Sequence, residues 1–242
     1  MTSPDAVTVT WLGHGTTLVE SPSGKRILID PFLTDNPATP PDLKAPRDID
    51  LMLITHGHSD HIADAVPTAQ REHPDVIAIF ELTDYLGRKG VQSLNGMNKG
   101  GTVHWNDVSI TMVQAVHSAG IAGDTGIIDG GSAAGFVLRF ENGFTLYVAG
   151  DTAAFEDMKL IGRLYRPDAA ILPIGDHFTM GPREAAEAIR MLSVPNVIPV
   201  HYGTWPLLTG TPEALEREAK DVEGLRVFGI RPGESVDQRQ LV

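Results

Sequence analysis

DLMLITHGHSDHIADAV occupies residues 50–66, and its two halves behave differently. Residues 50–55 form a short apolar run of the kind that makes a buried strand. A helix is expected over 60–70, with Ser59 or Asp60 available as its N-cap. Between them the chain changes from strand to helix through a loop that holds His56, His58, Asp60 and His61. His56 and His58 are two apart, so in an extended loop they project to the same side. Three of the nine histidines of the chain fall here. Neighbouring imidazoles without a cation compete for protons near neutral pH. Imidazole together with carboxylate suits zinc, manganese or iron.

Working outward, further Val- and Ile-rich runs read as strands over 7–13, 26–30, 76–80, 108–116, 135–140, 144–150, 169–174, 196–201 and 226–230. Asn142-Gly143 between two of them is a two-residue hairpin signal. Helices are expected over 80–89, 155–165, 181–193 and 211–224. Pro182 lies in the first turn of the third, and the fourth has Thr211 as N-cap and Gly224 as stop. Strands come first and strands mixed with helices follow. The expected fold class is α+β, an α/β sandwich of two sheets with helices outside. No repeat or linker divides the chain, so one domain over 1–242 is expected. Two long loops, the proline-rich 34–48 and the glycine-rich 118–135, are expected to be functional or mobile.

Composition excludes several chemistries. The absence of cysteine removes disulfides, thiolate zinc sites, iron–sulfur clusters and cysteine nucleophiles. No apolar run reaches the ~18 residues of a membrane helix, and residues 1–10 carry no signal-peptide pattern. A cytoplasmic protein without membrane partners is expected. A net charge of −12 argues against nucleic acid as a partner, and a small-molecule substrate is expected.

A short loop cannot complete two cation sites alone, and further donors follow other apolar runs. His117 follows 108–116, Asp151 stands in AGDT after 144–150, and His201 stands in HYG after 196–200. In open α/β sheets, ligands collect at the carboxyl ends of strands. THGHSDH, then a single His, then GDT, then a strand-end His resembles the metallo-β-lactamase superfamily over about residues 7–233. WLGHGT, ILIDPF, LPIGDHFTMGPREAAEA and VHYGTWP resemble its branch of metal-dependent hydrolases. That branch is similar to L-ascorbate-6-phosphate lactonase and, more distantly, to N-acyl-phosphatidylethanolamine-hydrolysing phospholipase D.

The resemblance implies a four-layer αββα fold and two divalent metal ions. Zinc is foremost; manganese, nickel or iron also suit the donors. His56, His58 and His117 would hold the first ion and Asp60, His61 and His201 the second, with Asp151 bridging. The expected function is a binuclear hydrolase whose metal-bridging hydroxide cleaves an ester, lactone or phosphodiester. Asp60 would also orient the nucleophile, and homo-oligomers are common in the branch.

Asp30 would brace the histidine loop, because ligating imidazoles need their second nitrogen fixed. His14, after the first strand, would brace the site or bind substrate. His177 would give a proton to the leaving group or bind an oxyanion, with Asp176 as its partner. Phe178, Met180 and Trp205 would shape the pocket, and His73 and His104 read as surface residues. The rival readings are a mononuclear iron oxidoreductase like the persulfide dioxygenases, a nuclease, and a binding module without catalysis.

Overall fold

The computed structural model describes residues 5–241; the first residues of the 1–10 stretch and the last of the expected domain lie outside them. The first half of the chain builds β1 (Thr8–Gly13), β2 (Thr16–Glu20), β3 (Arg26–Ile29), β4 (Leu51–Leu53), α1 (Ser59–Ile62), α2 (Ala65–Glu72), β5 (Asp75–Ile79), α3 (Phe80–Arg88) and β6 (Leu94–Met97). Next come β7 (Thr102–Trp105), β8 (Val108–Gln114), β9 (Ile121–Gly123), β10 (Gly126–Ile128), β11 (Ala134–Arg139) and β12 (Thr145–Val148). The chain ends with α4 (Met158–Tyr165), β13 (Ala169–Pro173), α5 (Pro182–Leu192), β14 (Asn196–Val200), α6 (Pro212–Glu218), β15 (Arg226–Val227) and β16 (Ser235–Asp237).

Two seven-stranded sheets result, ordered β16-β1-β2-β3-β4-β5-β6 and β15-β14-β13-β12-β11-β8-β7. In the first, pairing is antiparallel up to β3 and parallel from β3 to β6. The second repeats the scheme, antiparallel from β7 to β12 and parallel from β12 to β15. The halves thus share a topology that no sequence repeat announces.

Side-chain alternation makes the layers. Phe136, Leu138, Leu146, Val148, Ile171 and Ile198 enter the core between the sheets, together with Ile27, Ile29 and Leu53. Their neighbours Val137, Tyr147, Ala170, Leu172 and Val197 face the other way, against Met158, Ile161, Ala188, Ile189 and Leu215 of α4–α6. Strands buried on both faces read as continuous apolar runs. Each fully buried Leu or Ile contributes roughly 1.5–3 kcal/mol. The expected αββα sandwich is the observed architecture.

Several local expectations are corrected. The helix expected over 60–70 is two helices. Asp64 accepts from Leu33 N at 2.7 Å and Thr34 N at 3.0 Å, and its own N–H donates to Pro31 O at 2.9 Å, so the chain bends there to tie down the 31–34 loop. Residue 224 does not end α6. Arg190 donates to the Glu218 carbonyl at 2.8 Å, and Val222 N turns instead to Ala219 O at 2.9 Å, so the helix stops at Glu218. The hairpin at Asn142-Gly143 has a three-residue loop. Phe140 N donates to Phe144 O at 2.9 Å, and Gly143 takes φ +89°, the bulge position of a type I turn. Within 118–135, β9 and β10 pair as a hairpin. The strands β2, β6, β7 and β16 are further additions to the sequence reading.

Candidate metal centre

Parallel register gathers the strand ends. Ile29 lies opposite Leu53, which brings Asp30 beside Thr55. Val148 opposes Ile171 and Pro173 opposes Val200, so the segments after β12, β13 and β14 leave one edge together. Backbone bonds sew this edge: Ala134 N donates to Thr55 O at 3.0 Å, His201 N to His14 O at 2.9 Å, and Ala153 N to Val116 O at 3.0 Å. His14, Asp30, Asp176, His177 and His201 all take positive φ, between 50° and 68°. Such non-glycine residues are uncommon and cluster where a turn re-aims a side chain.

The donors converge in three overlapping groups, with ligand atoms within 4.8 Å of one another in each: His56, His58 and His117; His56, His61 and Asp151; and His14, Asp60, His61 and His201. Asp151 Oδ2 is the hub. It lies 3.2 Å from His201 Nε2, 3.3 Å from His61 Nε2, 3.7 Å from His117 Nε2 and 3.9 Å from His56 Nε2. Asp60 Oδ2 lies 3.9 Å from His201 Nε2 and 4.0 Å from His61 Nε2. His56 Nε2 and His58 Nδ1 are 3.0 Å apart. His61 Nε2 and His201 Nε2 are buried and have no hydrogen-bond partner among the described residues. A buried polar nitrogen left this way costs free energy unless something else meets it. Imidazole and carboxylate donors aimed at a common space fit a divalent cation.

The second ring nitrogens of His61, His56 and His14 are fixed, whereas His201 Nδ1 has no hydrogen-bond partner among the described residues. Asp30 Oδ2 accepts from His61 Nδ1 at 2.9 Å and from Thr55 Oγ1 at 2.7 Å, and Asp30 Oδ1 accepts from Thr55 N at 2.8 Å. Thr55 Oγ1 in turn meets His56 Nδ1 at 3.0 Å. One buried carboxylate therefore orients a histidine of each expected ion. His14 Nε2 donates to Asp60 Oδ2 at 2.9 Å, and His14 Nδ1 meets the Thr204 hydroxyl at 3.0 Å.

Electrostatics agree with this arrangement. Burial pulls His14 down to about 4, so it is neutral near pH 7 and its Nε2–H is the donor to Asp60. Burial works to raise Asp60, but the His14 hydrogen bond and the charge on His61 hold it well below the usual carboxylate range. Burial likewise opposes ionisation of Asp151, and His201 and His61 outweigh it. His56, His58 and His117 are pushed down, chiefly by burial, which keeps their lone pairs free. Burial lowers His61, but Asp151 and Asp30 hold it above its ordinary value.

The remaining expected residues divide. Asp176 Oδ1 accepts from the His177 backbone N at 2.7 Å, and no hydrogen bond to the His177 imidazole is formed. His177 is exposed, its ring edge-on to Phe178 at 4.4 Å. The Trp205 ring lies 4.7 Å from that of His14. Met180 is not in the pocket; it is buried in the core beneath α5, because the turn after β13 folds it inward. His73 and His104 are on the surface. Thr55, Thr204 and Ser118, whose Oγ is 3.2 Å from His58 Nε2, escape a sequence reading; only their place beside site residues hints at them.

A cavity of about 350 Å³ borders the ligand loop, lined by Gly57, Ser59, Ile62, Val66, Tyr85 and Ile121 among others. Another, of about 590 Å³ between α4 and α5, contains none of the site residues. No helix among the described residues is long and apolar enough to cross a membrane.

Residues 25–202 match the family described as the Beta-lactamase superfamily domain. A UPF0173 metal-dependent hydrolase of Koribacter versatilis is 52% identical over 227 residues, 94% of this chain and 96% of that protein. One from Methanosarcina barkeri is 42% identical, over 96% of this chain and 98% of its own. Among solved structures, a metallo hydrolase of the hyperthermophilic archaeon Ignicoccus hospitalis superposes with a TM-score of 0.85 at 33% identity, covering 96% of this chain and 98% of that one.

Proposed function

The chain belongs to the β-lactamase superfamily, among its metal-dependent hydrolases, and on that premise we propose that it works with two divalent cations on a small-molecule ester, lactone or phosphodiester. The observation that carries this reading is the pair of buried, unpartnered nitrogens His61 Nε2 and His201 Nε2 beside Asp151 Oδ2. His56, His58 and His117 would hold one cation and Asp60, His61 and His201 the other, with Asp151 shared. Zinc is the first candidate, and manganese, nickel or iron suit the same donors. When bound, such cations make hydroxide available near neutral pH and polarise the bond to be cleaved.

The chain's own residues do the rest. Asp30 fixes the His61 ring directly and the His56 ring through Thr55. His14 holds Asp60 in place through its Nε2–H. Asp60 is the more accessible of the two ligand carboxylates, with its side chain 26% exposed against 4% for Asp151, and it orients the attacking water. His177 stands exposed after β13, between the segments that carry Asp151 and His201, and gives a proton to the leaving group.

The test is removal and return of the cation. Protein stripped by a chelator should lose hydrolysis of its best substrate in a panel of esters, lactones and phosphodiesters, and zinc or manganese should restore it. Unchanged turnover after complete stripping would contradict the proposal.

A further inference from the structure

The segments that carry or flank the site residues are 14–15, 30–40, 54–64, 115–133, 149–157, 174–181 and 201–211. Not one contains a lysine or an arginine, although the chain has 19. Lys44, just beyond the second, donates to Thr34 O at 2.7 Å. The exposed charges of these segments are acidic, among them Asp35, Asp124 and Asp129. The same segments display apolar side chains to solvent: Val116, Ile127, Ile128, Phe178 and Leu207 are five of the eight large apolar residues most exposed in the described chain.

Four of the five adjoin site residues along the chain or through a neighbouring residue. Val116 precedes His117, and Phe178 follows His177 with its ring against it. Leu207 follows Trp205 by two, and the Trp205 ring lies 4.7 Å from that of His14. Ile127 covers Gly120, where an added Cβ would come within 2.5 Å of its Cγ2. Gly120 in turn is two residues beyond Ser118, whose Oγ is 3.2 Å from His58 Nε2.

Specific recognition of a phosphate or carboxylate uses Arg, Lys or clustered backbone N–H groups. Lys89 lines the cavity beside Gly57 and Ser59, with its Nζ 5.6 Å over the Tyr85 ring; elsewhere along these segments a second anionic group on a substrate would meet carboxylates and apolar surface. It would lose its hydration without a partner. An uncharged, apolar body would instead cover the exposed side chains and gain from their burial.

We propose that the site takes an uncharged carboxylic ester or lactone with an apolar acyl body and discriminates against substrates that carry a further anionic group. This rests on the hydrolase reading and narrows it, setting aside the phosphodiester and the phosphorylated lactone. In the reaction, the oxygen of water bonds to the acyl carbon and the acyl–oxygen bond breaks. One proton goes to the leaving alkoxide and the other to solvent, leaving a carboxylate and an alcohol.

The test uses the zinc-loaded full chain and two matched pairs of probes. The first pair is para-nitrophenyl hexanoate and mono-para-nitrophenyl adipate, which differ by a terminal carboxylate. The second is hexanamide and adipic acid monoamide, unreactive mimics whose binding is read by calorimetry. The hexanoate should be preferred in kcat/KM by about tenfold or more, and hexanamide should bind more tightly by a similar factor. Phe178→Ser with Leu207→Ser should weaken hexanamide binding and raise KM with little change in kcat. Ile127→Lys should narrow the preference by favouring the adipate probe. Equal or tighter binding of the anionic probe would overturn the proposal, as would failure of both amides to bind. A double variant that turns a dimer into a monomer and leaves hexanamide binding unchanged would also overturn it, assigning the apolar rim to a subunit contact. Hexanamide binding without cleavage of either ester would count against the hydrolase reading and leave the substrate class standing.

Discussion

Replacing Asp30 with Asn should disable both expected cation positions although Asp30 is a ligand of neither. Asp30 Oδ2 accepts two hydrogen bonds, from Thr55 Oγ1 at 2.7 Å and His61 Nδ1 at 2.9 Å. Asn can keep Oδ1 for Thr55 N but presents an NH₂ where Oδ2 stood. That NH₂ opposes His61 Nδ1–H, so the ring must turn or move its proton to Nε2. It also donates to Thr55 Oγ1, which then offers its hydroxyl hydrogen to His56 Nδ1 at 3.0 Å. His56 is pushed into the tautomer whose Nε2 carries a proton, and that nitrogen can no longer bind a cation. Disturbing such a supporting residue typically costs about 10–100-fold in cation affinity, or roughly 1.4–2.8 kcal/mol. The metal-free fold should lose less than the two hydrogen bonds suggest, about 2 kcal/mol, because the Thr55 hydroxyl can reverse and only the His61 bond is lost outright. Competition titration with zinc reads the affinity, and urea unfolding in excess chelator reads the stability. Zinc binding by Asp30→Asn within about twofold of the parent would refute the orientation argument.

Three further outcomes follow from the described residues. Tyr147→Phe removes a fully buried hydroxyl without a hydrogen-bond partner, so it should be neutral or stabilising by about 1 kcal/mol in urea unfolding; a clear loss would mean that the hydroxyl has a partner. Gly57→Ala places a Cβ within 2.5 Å of Ile121 Cγ1 and 2.8 Å of the Ala119 carbonyl, and should cost about 1–3 kcal/mol and displace His56 and His58. Unchanged unfolding and zinc affinity would show that the loop yields freely. Burial works to raise Asp50, but Lys25 at 2.8 Å and the Arg26 backbone N at 2.9 Å hold it below its ordinary value. A lowered folded-state value stabilises above the unfolded carboxylate range, and the effect fades as pH falls through the folded-state value. Asp50→Asn should therefore cost about 0.5 kcal/mol at about pH 7, discounted for exposure, and progressively less below about pH 4. A cost independent of pH would assign the loss to packing.

The site was more legible in the sequence than the fold around it. His56, His117, Asp151 and His201 each stand immediately after an apolar run, with His58, Asp60 and His61 in the loop that His56 opens, and strand ends at one edge of a sheet converge, so these donors group from the sequence. Elements decided by long-range contacts were not legible. The break between α1 and α2 depends on Asp64 reaching Leu33 and Thr34, and the end of α6 on Arg190 reaching the Glu218 carbonyl. Edge strands such as β6, with Asn95 and Gly96 inside it, carry little apolar pattern because one side has no neighbour. Asp176 looks like a partner for the His177 imidazole, yet the positive φ of both residues turns its carboxylate to the backbone instead. Thr55 and Thr204 are ordinary threonines in sequence, and only the fold sets their hydroxyls against ring nitrogens.

Asp151 Oδ2 lies within 3.9 Å of four imidazole nitrogens drawn from both expected ion sites. The most direct measurement is calorimetric titration of metal-free parent and Asp151→Ala protein with zinc, checked by elemental analysis of the saturated samples. The parent should take up two zinc ions per chain and Asp151→Ala no more than one with comparable affinity. A parent that saturates at one ion, or an Asp151→Ala protein that still binds two as tightly, would contradict the binuclear centre.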